Sequence, residues 1–266
     1  MHITFDTCFH VHVGGRPLHT ACLMKLTRGS EDYSLISRTF KESWCPKKGF
    51  CPEITSVFAI VNTHVEQTFT QYTDELRKRR APTHMEQYFH GTSLACDVMH
   101  TEVPCKMEIC GVCGIIRRGF DEQLIASNIP TWMRFGMGIY LASNSSKCHE
   151  YTRGAHGLRA MLWCDVAPGN KWVVAPPDDF EFSHMTQPPR GYDCVYGHRG
   201  CLNYDEIIFY NSRAITPRYV VIYEKDGIEQ IATNRVDATN ECPDRARAEE
   251  CPGRLQAEEC PGRISS

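Results

Sequence analysis

A glutamate stands at the head of an apolar run, Asp205-Glu206-Ile207-Ile208-Phe209-Tyr210. β-branched and aromatic residues at this density form a strand. A carboxylate buried in such a strand without a partner costs several kcal/mol. Glu206 must therefore face a polar cleft or lie on an edge strand open to water. Asp205 cannot stand in for it, because alternation along a strand sends adjacent side chains to opposite faces.

Other stretches extend this mixed pattern. Ser56–Val61, Ala160–Val166, Glu206–Tyr210 and Arg218–Glu224 read as strands. Thr63 and Glu66 have the spacing of a capping box, and Val65, Phe69, Tyr72 and Leu76 form one apolar stripe of a helix. The cations Arg77–Arg80 complement the dipole in its last turn and Pro82 stops it. Shorter helices are expected near Asp121, carrying Leu124 and Ile125, and from about Ser143 through Tyr151. Strands and helices do not alternate around a glycine-rich turn, so a doubly wound dinucleotide fold is unsupported and an α+β class is expected.

Composition narrows the function classes. Hydrophobic residues at 42% and charged residues at 23% are a globular balance. The 29 Lys+Arg against 32 Asp+Glu leave a net charge of −3. No global field therefore draws the chain to nucleic acid, and direct nucleic-acid binding is not expected. No apolar run approaches the ~18 residues that span a bilayer, and the first residues lack a secretory pattern. We expect an intracellular protein, cytoplasmic or nuclear, without a membrane partner. The C-terminal stretch repeats a nine-residue unit, Glu241-Cys242-Pro243, Glu250-Cys251-Pro252 and Glu259-Cys260-Pro261, with almost no large apolar side chains. Residues 231–266 are expected to be a disordered low-complexity tail.

Four stretches combine apolar strand residues with polar groups that a strand would normally shed: Tyr88-Phe89-His90-Gly91-Thr92, Phe135-Gly136-Met137-Gly138-Ile139-Tyr140-Leu141-Ala142, Ser145-Ser146-Lys147-Cys148-His149-Glu150-Tyr151, and Asn203-Tyr204-Asp205-Glu206-Ile207-Ile208-Phe209-Tyr210. In this order and spacing they resemble the catalytic domain of the poly(ADP-ribose) polymerase-like ADP-ribosyltransferases. Gly191-Tyr192-Asp193-Cys194-Val195 and the closing run Pro217–Tyr223 fall where that family has its flanking strands. The resemblance implies an N-terminal extension over residues 1–43 and a catalytic domain over 44–230. It also implies two small, mostly antiparallel sheets with flanking helices around an NAD cleft.

The same resemblance implies roles. NAD is the substrate, and its ADP-ribose passes to a protein acceptor, or to the chain itself, with loss of nicotinamide. His90 would hold the adenosine ribose through a ring nitrogen. Gly91 and Thr92 would line the nicotinamide site, where a main-chain approach disfavours a Cβ at residue 91. Tyr140 and Tyr151 would stack on the nicotinamide ring, with Lys147 on the same helix face as Tyr151. Glu206, with His90 and Tyr140, would be catalytic, its carboxylate stabilising positive charge on the nicotinamide ribose. Cys148 stands where the family usually has a small hydroxyl residue that hydrogen-bonds the carboxamide; a thiol is the weaker partner. The loop before Glu206, about Gln187–Leu202, is short, which favours transfer of one unit over chain growth. A catalytically inert module of the same fold, holding NAD or ADP-ribose without turnover, is the alternative.

The chain has 15 cysteines. Cys96, Cys105, Cys110 and Cys113, spaced C-x8-C-x4-C-x2-C, form an insert over residues 96–113. Some small fungal-type members that this chain resembles carry such a Cys-rich insert. Four thiolates would close a tetrahedral structural zinc site and brace a loop with little apolar content. Independent buried or reducible thiols are the other reading, and His100 is a candidate replacement ligand.

Overall fold

The structure, a computed structural model, describes residues 12–13, 16–17, 21–97, 103–124, 133–174, 182–197 and 204–224. Contacts group Met1–Glu229 as one unit, which contains all of them. His100 and the tail 231–266 lie outside the described residues.

In chain order the elements are β1 (His12–Val13), β2 (Arg16–Pro17), β3 (Cys22–Lys25), α1 (Glu31–Glu42), β4 (Ile54–Val61), α2 (Thr63–Lys78), β5 (Glu86–Gly91), α3 (Gly111–Arg118), β6 (Ile139–Ala142), α4 (Ser145–His149), β7 (Leu158–Val166), β8 (Lys171–Val174), β9 (Cys194–Gly197), β10 (Glu206–Phe209) and β11 (Ile215–Glu224). β1 and β2 pair only with each other. The remaining strands form one sheet in the order β3-β4-β11-β7-β5-β6-β10-β9-β8, antiparallel except for β8 beside β9.

The expected α+β class is what the chain adopts. The expectation of two small sheets is corrected, because hydrogen bonding runs through all nine strands. The joint is narrow. β5 and β6 share a single pairing, Phe89 with Ala142, whereas β5 pairs with β7 over six residues from Glu86 to Gly91. A five-stranded block and a four-stranded block therefore meet at one residue pair.

The five-stranded block is buried on both faces, which explains why its strands read as continuous apolar runs. Phe58, Ile60, Leu162, Val220 and Ile222 point to one side, where Phe69, Tyr72 and Leu76 of α2 cover them. Val57, Met161, Trp163, Val221 and Tyr223 alternate to the other side, under Tyr33, Ile36 and Phe40 of α1. β3 and α1 lie within the stretch assigned from sequence to an N-terminal extension, yet β3 hydrogen-bonds β4 and α1 supplies core residues. The folded body thus begins well before residue 44.

Helix ends depart from expectation in detail. The cap of α2 is Asn62, whose side chain accepts from the Val65 N–H, and Thr63 is the first helical residue. Asn62 gains further by donating to the carbonyls of Ile116 and Arg117, so it ties α2 to α3. Around Asp121 there is only a 3-10 turn, Glu122–Leu124, and Ile125 lies outside the described residues. α4 is shorter than expected and ends before Tyr151. Among the described residues no helix is long and apolar enough to cross a membrane.

Candidate active site

The joint between the two blocks places the sequence-selected polar residues. His90 is next to last in β5, Tyr140 lies in β6, and Glu206 opens β10. Glu206 pairs with Ala142 of β6 on one side and Gly197 of β9 on the other. An edge position facing water is therefore ruled out. Asn144 caps α4 by accepting from the Lys147 N–H, and this fixes the turn from which Lys147 and Cys148 project. Tyr151 follows the last turn of this helix.

These residues share one cavity of about 680 Å³, a size suited to a dinucleotide-scale ligand. His90, Gly91, Thr92, Tyr140, Lys147, Cys148, Tyr151 and Glu206 all line it, as do β6 and one side of α3.

Each group has a defined partner. The Nδ1 of His90 lies 2.9 Å from the Tyr140 carbonyl, which can only accept, so Nδ1 carries the proton and Nε2 keeps a lone pair. Phe120 meets the same ring in a T-shaped contact at a centroid distance of 5.0 Å. Burial holds the His90 imidazole below its ordinary pKa and therefore neutral. The Tyr140 hydroxyl donates to the Gly136 carbonyl at 3.1 Å and accepts from the Phe135 N–H at 3.0 Å, locking its ring in the wall. Tyr151, by contrast, is 42% exposed at the mouth. Its hydroxyl accepts from Lys147 at 2.9 Å, and the Lys147 ammonium also stands 4.9 Å from its ring centroid.

Glu206 is 8% exposed, and its Oε1 lies 3.2 Å from Lys147 Nζ. Burial raises the Glu206 carboxyl above its usual range, and the Lys147 ammonium works against that shift. Burial likewise acts to discharge Lys147, but Glu206 and Tyr151 outweigh it and the ammonium is held more firmly than usual. Asp205 meets Tyr196 of β9 instead.

Gly91 is required for a reason the sequence did not disclose. A Cβ there would stand 2.0 Å from the Cys148 carbonyl oxygen, so β5 and α4 approach closely only across a glycine. The Cys148 thiol donates to the Phe89 carbonyl at 3.1 Å, and burial pushes its pKa up to about 12. It is a neutral thiol.

At the start of α3 lies the cysteine insert. The ligand atoms of Cys96, Cys105, Cys110 and Cys113 all fall within 4.8 Å of one another. Cys96 Sγ is 3.8 Å from Cys110 Sγ and 3.5 Å from Cys113 Sγ. Those separations are far beyond the ~2.05 Å of a disulfide, and they match the ~3.8 Å edge of a tetrahedron with 2.3 Å metal–sulfur bonds. The donor set and its spacing therefore fit a closed zinc site. Cys110 also occupies the N-cap position of α3 without a side-chain capping bond, and the Ala95 N–H donates to its sulfur at 3.4 Å.

Sequence reasoning missed α3 as a wall of the cavity. Ser93 holds its start: its hydroxyl accepts from the Gly111 N–H at 3.1 Å and donates to the Ile109 carbonyl at 2.8 Å. Glycine at 111 was the available signal, since a Cβ there would lie 2.2 Å from the Thr92 hydroxyl.

The chain thus joins a mixed α+β topology to a dinucleotide-sized cleft lined by a buried glutamate. The family model described as "PARP: Poly(ADP-ribose) polymerase catalytic domain" matches residues 30–225. The chain belongs to this family, whose general activity is NAD-dependent ADP-ribosyl transfer. Its match from residue 30 includes α1, in agreement with the packing of that helix on the sheet.

Proposed function

We propose that this chain is an active ADP-ribosyltransferase that moves single ADP-ribose units from NAD to a protein acceptor and releases nicotinamide. The observation that carries this reading is the convergence of His90, Tyr140, Lys147, Tyr151 and Glu206 on one cavity. His90 Nε2 is suited to accept a hydrogen bond from the adenosine ribose. Tyr140 and Tyr151 offer a fixed and an exposed ring for the nicotinamide. The bond between ribose C1′ and the nicotinamide nitrogen breaks with its electron pair going to nicotinamide, which leaves neutral. Positive charge grows on the ribose as this happens, and the Glu206 carboxylate opposes it. The acceptor's nucleophile forms the new bond to C1′, and its proton passes to Glu206 or to water.

Single-unit transfer fits the short connection between β9, ending at Gly197, and β10, beginning at Glu206. Little chain is available there to build a pocket for a second ADP-ribose. Cys96, Cys105, Cys110 and Cys113 would hold one structural zinc ion, supported by their mutual sulfur distances.

The test is incubation with NAD labelled in its ADP-ribose part, reading protein-bound label and free nicotinamide together. Label on protein with equimolar nicotinamide is expected. Phosphodiesterase digestion should return only the single-unit product. NAD binding without nicotinamide release would overturn the reading in favour of an inert binding module. One zinc per chain is expected by elemental analysis of reduced protein, and none would remove the metal assignment.

A further inference from the structure

Glu206 is the inner end of a row of alternating charges that reaches the surface. Lys147 Nζ lies 3.2 Å from Glu206 Oε1 and 3.7 Å from Glu150 Oε2. Glu150 Oε1 in turn pairs with Lys48, in the 3-10 turn Pro46–Lys48 that follows α1. Exposure rises along the row: the side chains of Glu206 and Lys147 are 10% and 18% exposed, those of Glu150 and Lys48 37% and 41%. The outer pair stands on fixed supports. The Cys45 N–H donates to the Ser146 hydroxyl at 3.1 Å and the Ser145 hydroxyl to the Phe40 carbonyl at 2.7 Å, which dock the turn and the end of α1 on α4.

One ammonium is thus shared by two carboxylates. An unneutralised Glu150 would compete for Lys147 and draw it outward. Lys48 cancels that pull, so Lys147 stays on Glu206. We propose that Lys48 is a positioning residue for the transfer reaction: by clasping Glu150 it keeps that carboxylate from drawing Lys147 off Glu206, and the Lys48–Glu150 pair so sets how far into acid transfer persists. This rests on the transferase reading above.

The charges acting on the Glu206 carboxyl are those of Lys147 and Glu150; Glu108, Arg118, Asp121 and Arg153 also line the cavity but do not rank among the causes of its shift. From β5 comes the neutral imidazole of His90, from β6 the phenol of Tyr140, and from α4 and the residues after it the Cys148 thiol and the Tyr151 phenol. Asp205 turns to Tyr196, and Tyr204 lies near Lys48 and Cys45. Glu150 adds a repulsion that pushes the Glu206 carboxyl up after burial has done so. Activity needs the ionised Glu206, so it is present above the carboxyl's pKa and lost as pH falls through it.

The two outer residues then have opposite effects. Glu150→Gln removes the repulsion and leaves Lys147 wholly to Glu206; the acid midpoint of kcat/KM should fall by about half a pH unit. Lys48→Met frees Glu150 to compete, and the midpoint should rise by about as much. At a fixed pH on the acid limb, half a unit is about a threefold change in rate. The double variant should follow Glu150→Gln, because the clasp on Glu150 is the strongest contact Lys48 makes. A second readout needs no turnover: NMR titration of the 13C-labelled Glu206 carboxyl, assigned by its loss in Glu206→Gln, should show the same shifts. Midpoints that do not move, that move in one direction for both variants, or a Lys48 effect that persists without Glu150 would overturn the inference. An inactive wild type whose carboxyl titration still shifts as described would instead remove the transferase reading alone.

Discussion

The two walls of the cavity are held in unlike ways. The wall made by β5, β6 and β10 is woven into the sheet, with strands hydrogen-bonded on both sides and Ile207, Ile208 and Phe209 closed to solvent. The facing wall is α3, of eight residues, a length at which an isolated helix is not stable in water. Its start is held by the Ser93 hydroxyl beside the cysteine cluster, and Phe120 just past its end packs on His90. Ile109, beside its cap, is 74% exposed. Both walls reach the core, α3 through Val112 and Ile116, but strand pairing fixes the sheet wall whereas a side-chain tie from Ser93 fixes the start of α3. Chemistry and dinucleotide affinity should therefore respond to different perturbations.

The largest effect is expected on the sheet wall. Glu206→Gln should lower label transfer by about 10²–10³-fold while the Kd for NAD changes by less than about threefold. Comparable losses in both would break the division between the walls. Next comes the α3 wall. Chelation, or Cys113→Ser, should raise the Kd for NAD by about tenfold or more, with the strand signal in circular dichroism retained. An unchanged Kd in zinc-free protein would show that α3 stands without metal. Gly91→Ala tests the contact between β5 and α4 and should destabilise the fold by about 1–3 kcal/mol in denaturant titrations, since its Cβ would meet the Cys148 carbonyl. A smaller change is expected from Cys148→Ser, which should lower the KM for NAD by about twofold without loss of kcat. A large loss of turnover would instead assign the thiol a part in the chemistry.

Much of the sheet wall was legible in the sequence because its signals are local. Glu206 in an apolar run demanded a cleft or an edge open to water, and His90 and Tyr140 stood out because four short motifs follow one another in the order of a known family. The α2 stripe of Val65, Phe69, Tyr72 and Leu76 was legible for the same reason. What could not be read depends on contacts between distant segments. Lys48 and Glu150 are 102 residues apart, and neither is unusual for a surface position. α1 has the buried residues Tyr33, Ile36 and Phe40, but its packing is apparent only once β4, β7 and β11 are side by side. The single pairing of Phe89 with Ala142 that turns two blocks into one sheet leaves no trace in composition. Asn62 displaced the expected Thr63 cap because it also reaches the carbonyls at the end of α3, a tertiary gain that local pattern does not register.

The most direct test is an experimental structure with a non-hydrolysable NAD analogue in the wild-type protein. The account predicts the nicotinamide ring between Tyr140 and Tyr151, the adenosine ribose at His90 Nε2, and the Glu206 carboxylate within hydrogen-bond distance of the nicotinamide ribose. An analogue bound outside this cavity, or a nicotinamide ribose out of reach of Glu206, would contradict it.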